Sequence, residues 1–137
     1  MKPILIILAL TMAAFAAKAQ KIDTIKGISA DTAIFLNVEK QPSFPGGERK
    51  FYRFLANNIH YPADSHEKNI QGKVILTMVV EKDGGLTDIR VTKSVASDID
   101  AEAIRVMKLS PKWVPGYQGG KPVRVQYNIP ISFTQQQ

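Results

Sequence analysis

Two histidines, His60 and His66, are the first residues in this sequence that could bind a metal or carry a proton. They stand six positions apart, with no HExxH pattern and no carboxylate cluster beside them, so a metal site is not expected. Asp64-Ser65-His66 holds the residue types of a nucleophilic triad. Neighbours one or two apart on a helix do not face each other, however, and a polar helix start with Asp64 near its positive end is the plainer role. The glycine pairs Gly46-Gly47, Gly84-Gly85 and Gly119-Gly120 lack the GK[ST] or GxGxxG context of a phosphate loop. The chain has no cysteine, which removes a thiol nucleophile, a disulfide and a lipid-attachment site together. Neither a cofactor nor an enzymatic activity is expected from these residues.

The chemistry that remains is that of a polypeptide backbone. Val123, Val125, Tyr127, Ile129, Ile131 and Phe133 alternate with Arg124, Gln126, Asn128, Pro130 and Ser132. This is a strand with one dry and one wet face. Pro130 has no N–H to give a ladder, which suits a sheet edge or a bulge. An edge strand offers unpaired N–H and C=O groups. Arg124, Val125, Gln126, Tyr127, Asn128 and Ile129 are therefore the candidate segment for accepting an extended peptide by strand addition. Two alternatives stay open: a strand around Ile34–Val38 covers this edge, or two copies of the chain pair along it. Trp113, bracketed by Pro111 and Pro115, is read as a core plug beneath the sheet rather than a ligand-stacking surface. Tyr61-Pro62 fits equally a helix-ending turn and an exposed corner facing a ligand.

The elements that must position these residues follow from periodicity. Ala33 to Val38 reads as a short strand, and Pro42, Pro45, Gly46 and Gly47 then stop regular structure. From Glu48, Phe51, Phe54, Leu55 and Ile59 line one helical face, with Arg49, Lys50 and Arg53 on the other. That helix should end near Asn58 to His60, because Pro62 disfavours the α conformation at Tyr61. A short helical piece over Asp64–Asn69 closes at Gly72. Val74, Leu76, Met78 and Val80 face a core from a strand over Val74–Glu81, and Asp83-Gly84-Gly85 turns into a return strand over Leu86–Ser94 with Ile89 and Val91 inward. Ser97 or Asp98 should cap a helix carrying Ile99, Ala103, Val106 and Met107, ended by Pro111. The expected fold is α+β: a small antiparallel three-stranded sheet, with an N-terminal strand as a candidate addition and two helices on one face.

At 137 residues and 45% hydrophobic content, the chain has the size and composition of one globular domain. Its first residues read as a secretory signal: Lys2, an apolar run from Ile4 to Ala16, then Ala17-Lys18-Ala19 as a cleavage site. The run is shorter than the roughly 17–25 residues of a spanning helix. Cleavage would leave Gln20 as the N-terminus of a periplasmic protein, and an uncleaved inner-membrane anchor facing the periplasm is the alternative. The expected organisation is a signal over 1–19, a leader over 20–37 and a domain over 38–137. The net charge is +6 before cleavage. No clustered basic face or nucleic-acid motif accompanies it, so no nucleic-acid partner is expected.

Val38-Glu39-Lys40-Gln41-Pro42-Ser43-Phe44-Pro45-Gly46-Gly47-Glu48 and Asn58-Ile59-His60-Tyr61-Pro62 resemble the C-terminal domain of TonB proteins, in their Bacteroidetes form. So do Ile70-Gln71-Gly72-Lys73-Val74, Val80-Glu81-Lys82-Asp83-Gly84, Ser110-Pro111-Lys112-Trp113-Val114-Pro115-Gly116, Gly120-Lys121-Pro122-Val123-Arg124-Val125 and Ile129-Pro130-Ile131-Ser132-Phe133. The resemblance covers residues 38–133. It implies a two-helix, three-stranded domain and a role in energy-dependent transmembrane transport. In that role the domain grasps the TonB box of an outer-membrane transporter and passes on energy from the inner-membrane proton gradient. It also implies that the box peptide adds to the last strand, here Arg124–Ile129, with Tyr61 and Pro62 near the transporter. A membrane-anchored transducer complex and a second copy of the chain are further candidate partners. The resemblance extends neither to a long Pro-rich linker nor to a coupling anchor. A free binding domain that modulates a transducer is therefore expected, and the rival is a self-associating structural protein of the envelope.

Overall fold

The last strand organises the molecule. The computed structural model describes residues 32–135, and in it β5 (Lys121–Phe133) pairs antiparallel with β2 (Gly72–Val80) over nine consecutive partners, from Gly72 opposite Phe133 to Val80 opposite Val125. β3 (Leu86–Lys93) pairs antiparallel on the far side of β2. A two-residue β1 (Ile34–Phe35) lies parallel to β5 on the side away from β2, giving the order β1-β5-β2-β3. The sheet is thus mixed, and the expected antiparallel three strands, β5-β2-β3, make up most of it. The expected signal over 1–19 lies outside the described residues, as does most of the 20–37 leader.

Period-two patterning decides which face is dry. Val74, Leu76, Met78 and Val80 from β2 meet Val125, Ile129, Ile131 and Phe133 from β5, all buried. Two helices cover that face: α1 (Glu48–Asn58) and α3 (Ser97–Lys108), contributing Phe51 and Leu55, and Ile99, Ala103, Val106 and Met107. Each fully buried aliphatic side chain is worth about 1.5–3 kcal/mol of transfer free energy. Between the helices α2 (Ala63–Glu67) adds one short turn, ending two residues before the expected Asn69. Glu102 accepts from the His60 N–H at 2.6 Å, and Arg105 donates to the Asn58 carbonyl at 2.7 Å, so α3 holds the end of α1.

Three expectations change. The Ala33–Val38 strand shrinks to two residues, because only Arg124 and Val125 pair with it and Leu36 already stands half exposed. Neither Ser97 nor Asp98 caps α3: Ala96 takes the N-cap position without a side-chain bond. Asp98 turns instead to Ser65, accepting from its buried hydroxyl at 2.5 Å, while Asp100 accepts from the Val95 N–H at 3.0 Å. The third change is β4 (Gly116–Gln118), which forms a hairpin with Lys121–Val123 through Gly119-Gly120. Both turn glycines have positive φ, as a two-residue hairpin turn requires. At the β2–β3 turn, Gly84 has φ +89°, and a Cβ there would lie 2.0 Å from the Trp113 carbonyl oxygen. Its own carbonyl accepts from the Trp113 N–H at 2.8 Å, which ties the hairpin tip to the segment leading into β4.

Candidate functional site

The candidate residues of β5 form one continuous run. Val125 and Ile129 point into the core, Tyr127 is half-buried, Arg124 and Gln126 are half-buried on the opposite face, and Asn128 is exposed there. β5 is not free from Arg124 onward. Ile34 and Phe35 pair with Arg124 and Val125, so the covering strand foreseen as an alternative takes the first two positions of the segment. Beyond Val125, no described strand pairs with β5 on the side away from β2.

Pro130 sets the direction of the backbone groups along that side. Residues of an antiparallel pair either exchange both hydrogen bonds or none, in alternation. Pro130, opposite Ile75, has no N–H and belongs to a pair that exchanges none. The pairing has no register shift from Val125 to Phe133. Gln126, Asn128 and Ser132 therefore direct N–H and C=O outward, while Val125, Tyr127, Ile129 and Ile131 direct theirs to β2. Asn128 further receives the Thr77 hydroxyl at 2.7 Å, a cross-strand contact that such non-bonded pairs favour.

A groove of about 330 Å³ runs beside this edge, lined by Pro42, Phe44, Tyr52, Trp113, Tyr127 and Pro130 among others. A second hollow continues it past Leu55, Ala56 and Ile59 to Lys73 and Ser132, sharing Tyr52 and Pro130. The exposed flank of α1 is thus a wall facing the free edge. Trp113 is buried, as the sequence suggested. Its ring meets Phe44 at 5.9 Å, Phe51 at 5.7 Å and Tyr127 at 5.8 Å, and its Nε1 donates to Ser110 Oγ at 2.9 Å. It is a core residue that also backs the groove. Sequence reasoning missed the α1 flank, because the groove exists only through the spacing of α1 from β5.

Tyr61 and Pro62 lie at the other end of β5. The Tyr61 ring packs edge-on against Phe133 and His66, and its hydroxyl donates to the Ile70 carbonyl. This favours the helix-ending turn over a ligand-facing corner for Tyr61, although the pair stays half exposed. His60 and His66 do not converge with carboxylates: among the described residues no three His, Cys, Asp or Glu side chains gather to hold a metal. At the near end of β5, Arg124 pairs with Glu81, Nε to Oε1 at 2.8 Å, both largely shielded. The guanidinium's hydrogen bond holds the Glu81 carboxyl below its ordinary value, with Thr87 adding to the effect against the opposing cost of burial. Among the described residues no helix is long and apolar enough to cross a membrane.

No curated protein matches this chain. Among solved structures, a solution structure of the Helicobacter pylori TonB C-terminal domain aligns with 22% identity and a TM-score of 0.47, covering 68% of this chain and 88% of that one. A shorter version of the same domain gives 23% identity and a TM-score of 0.47, over 63% and 90%. Residues 57–134 match the family described as Gram-negative bacterial TonB protein C-terminal. That match spans more than half of the chain, including α2, α3 and every strand but β1, and the chain belongs to this family of TonB C-terminal domains.

Proposed function

We propose that this domain binds the TonB box of an outer-membrane transporter as an added strand along β5, from Gln126 toward Ser132, in service of energy-dependent transport across the envelope. The observation that carries the reading is the outer side of β5 beyond Val125. It has outward backbone groups at Gln126, Asn128 and Ser132, no described strand partner, and a groove beside it. Main-chain bonds would supply affinity, and alternate side chains of the peptide would meet Tyr52, Leu55 and Ile59 on the α1 flank. The family's association with the envelope and with transport supports the same reading. Arg124 and Val125 join the site only when β1 leaves. The half-exposed side of the Tyr61-Pro62 turn, whose tyrosine ring is otherwise packed on Phe133 and His66, would meet the transporter body at the far end of the strand. The domain acts from the periplasm, as a free module or held by a membrane-anchored transducer complex, and catalyses no reaction of its own.

Titration of the isotope-labelled chain with a synthetic TonB-box peptide tests this. The amides of Gln126, Asn128 and Ser132 should shift first, together with side chains of Tyr52 and Ile59. Shifts confined to β3, or none at all, would sink the proposal. Concentration-dependent shifts at the same amides without peptide would instead mark a second copy as the occupant of the edge.

A further inference from the structure

The outer edge of β5 already holds one occupant. Ile34 and Phe35 run parallel to it opposite Arg124 and Val125, and Arg124 Nη1 donates to the Thr32 carbonyl at 2.7 Å. The same guanidinium is fixed from its other side by Glu81, through Nε and through Nη2 at 3.2 Å. Arg124 thus reads the backbone of the N-terminal segment with a side chain that β2's end holds in place. Ala33, only 1% exposed, seats the segment as a small apolar plug.

We propose that Thr32–Phe35 is a strap that competes in cis for the peptide edge. It fills the two positions ahead of Gln126, and it must peel away before an added strand can extend to Arg124. This regulation rests on the reading of β5 as the peptide site. The strap is well made for release. It offers two paired residues against the nine that join β5 to β2, and both are half-buried rather than enclosed. Directly after it the chain is exposed at Leu36. Backbone hydrogen bonds have a small net worth in water because each is exchanged for another. A peptide that takes over the strap's positions makes the same kind of bond to Arg124, whose backbone groups face outward by the same alternation, and adds those along Gln126 to Ser132. The strap therefore filters ligands by length: a segment that engages only Gln126 onward leaves it in place, whereas a longer one displaces it.

Phe35 and Val125 are register partners, and the chain has no cysteine of its own. The double variant Phe35→Cys/Val125→Cys can therefore be locked by oxidation and released by reduction within one preparation. With a synthetic TonB-box peptide long enough to span Arg124 to Ile129, the oxidised form should bind at least about tenfold more weakly than the reduced form. Equal affinity in the two redox states would overturn the strap. Hydrogen exchange in the unmodified chain gives a peptide-independent readout. The amides of Ile34 and Phe35 should exchange at least about tenfold faster than those of Ile129 and Ile131, by local release. Exchange as slow as theirs would make β1 a permanent strand and end the proposal. Failure of the peptide to bind either redox form would count against the peptide reading of β5, leaving hydrogen exchange to decide the strap.

Discussion

The sheet has two long outer edges, and they are finished differently. On β3, Asp88 adopts a positive φ of 50°, and the pairing with β2 shifts register between Ile75 and Leu76 and again between Thr77 and Val79. Charged Asp88, Arg90 and Lys93 stand exposed along it. Such bulges and charges are the usual means by which an edge is made unfit for another strand. On β5 the pairing with β2 is regular throughout, and the outer side faces the apolar flank of α1 across a groove. Pro130 removes one donor and leaves the rest. One edge is protected and the other prepared, which is why the proposed function lies on β5.

The largest test of that contrast is the wall of the groove. Trp113→Ala should destabilise the fold by about 3–5 kcal/mol in urea unfolding, because the ring is buried among Phe44, Phe51 and Tyr127. An unchanged midpoint would mean that the groove wall is separate from the core. Next come two neighbouring prolines on β5. Val125→Pro removes a bond directed to β2 and should cost about 3 kcal/mol or more. Gln126→Pro removes only an outward donor, so it should change stability by less than about 1 kcal/mol. It should nevertheless weaken a TonB-box peptide about tenfold. Equal stability losses at the two sites, measured by urea unfolding, would break the assignment of the backbone directions drawn from Pro130.

How much of this was legible in the sequence depended on the kind of interaction. β5 could be read because its alternation runs through Val123 to Phe133, and period two has no helical equivalent. α1 and the β2–β3 turn followed from Phe51, Leu55 and Asp83-Gly84-Gly85 for the same local reason. β4 was missed because its three residues carry no period and exist through pairing with Lys121–Val123. The α3 cap failed because Asp98 had a more distant partner in Ser65, thirty-three residues away. The strand that carries the edge segment lies where the alternation put it, but the cover on its first two positions depends on a two-residue β1 contact that no local pattern announces. The groove was invisible for a related reason, since it belongs to the spacing of α1 from β5 and not to either sequence.

The smallest expected effect concerns the latch between the strap and the sheet. Glu81 is held below its ordinary carboxyl value first by the Arg124 hydrogen bond. A depressed folded-state value contributes stability that is present above the unfolded one, near 4.5, and lost as the pH falls through the folded one. Acid below that range should therefore loosen the Arg124 end of β5 before the regular ladder with β2. Asp83, Asp98 and Glu102 are also lowered, so the acid slope of the unmodified chain has several sources. Glu81→Gln isolates one. It should cost up to about 1 kcal/mol at neutral pH, a difference that shrinks as the pH falls through the lowered folded-state value and the native carboxylate is itself protonated. Urea midpoints of both chains across that range measure it, with Ile34 amide exchange as the local reporter. If the cost persists undiminished in acid, Glu81 stabilises through packing or its bond to Thr87 rather than by charge, and Arg124 holds Thr32 without help from its partner.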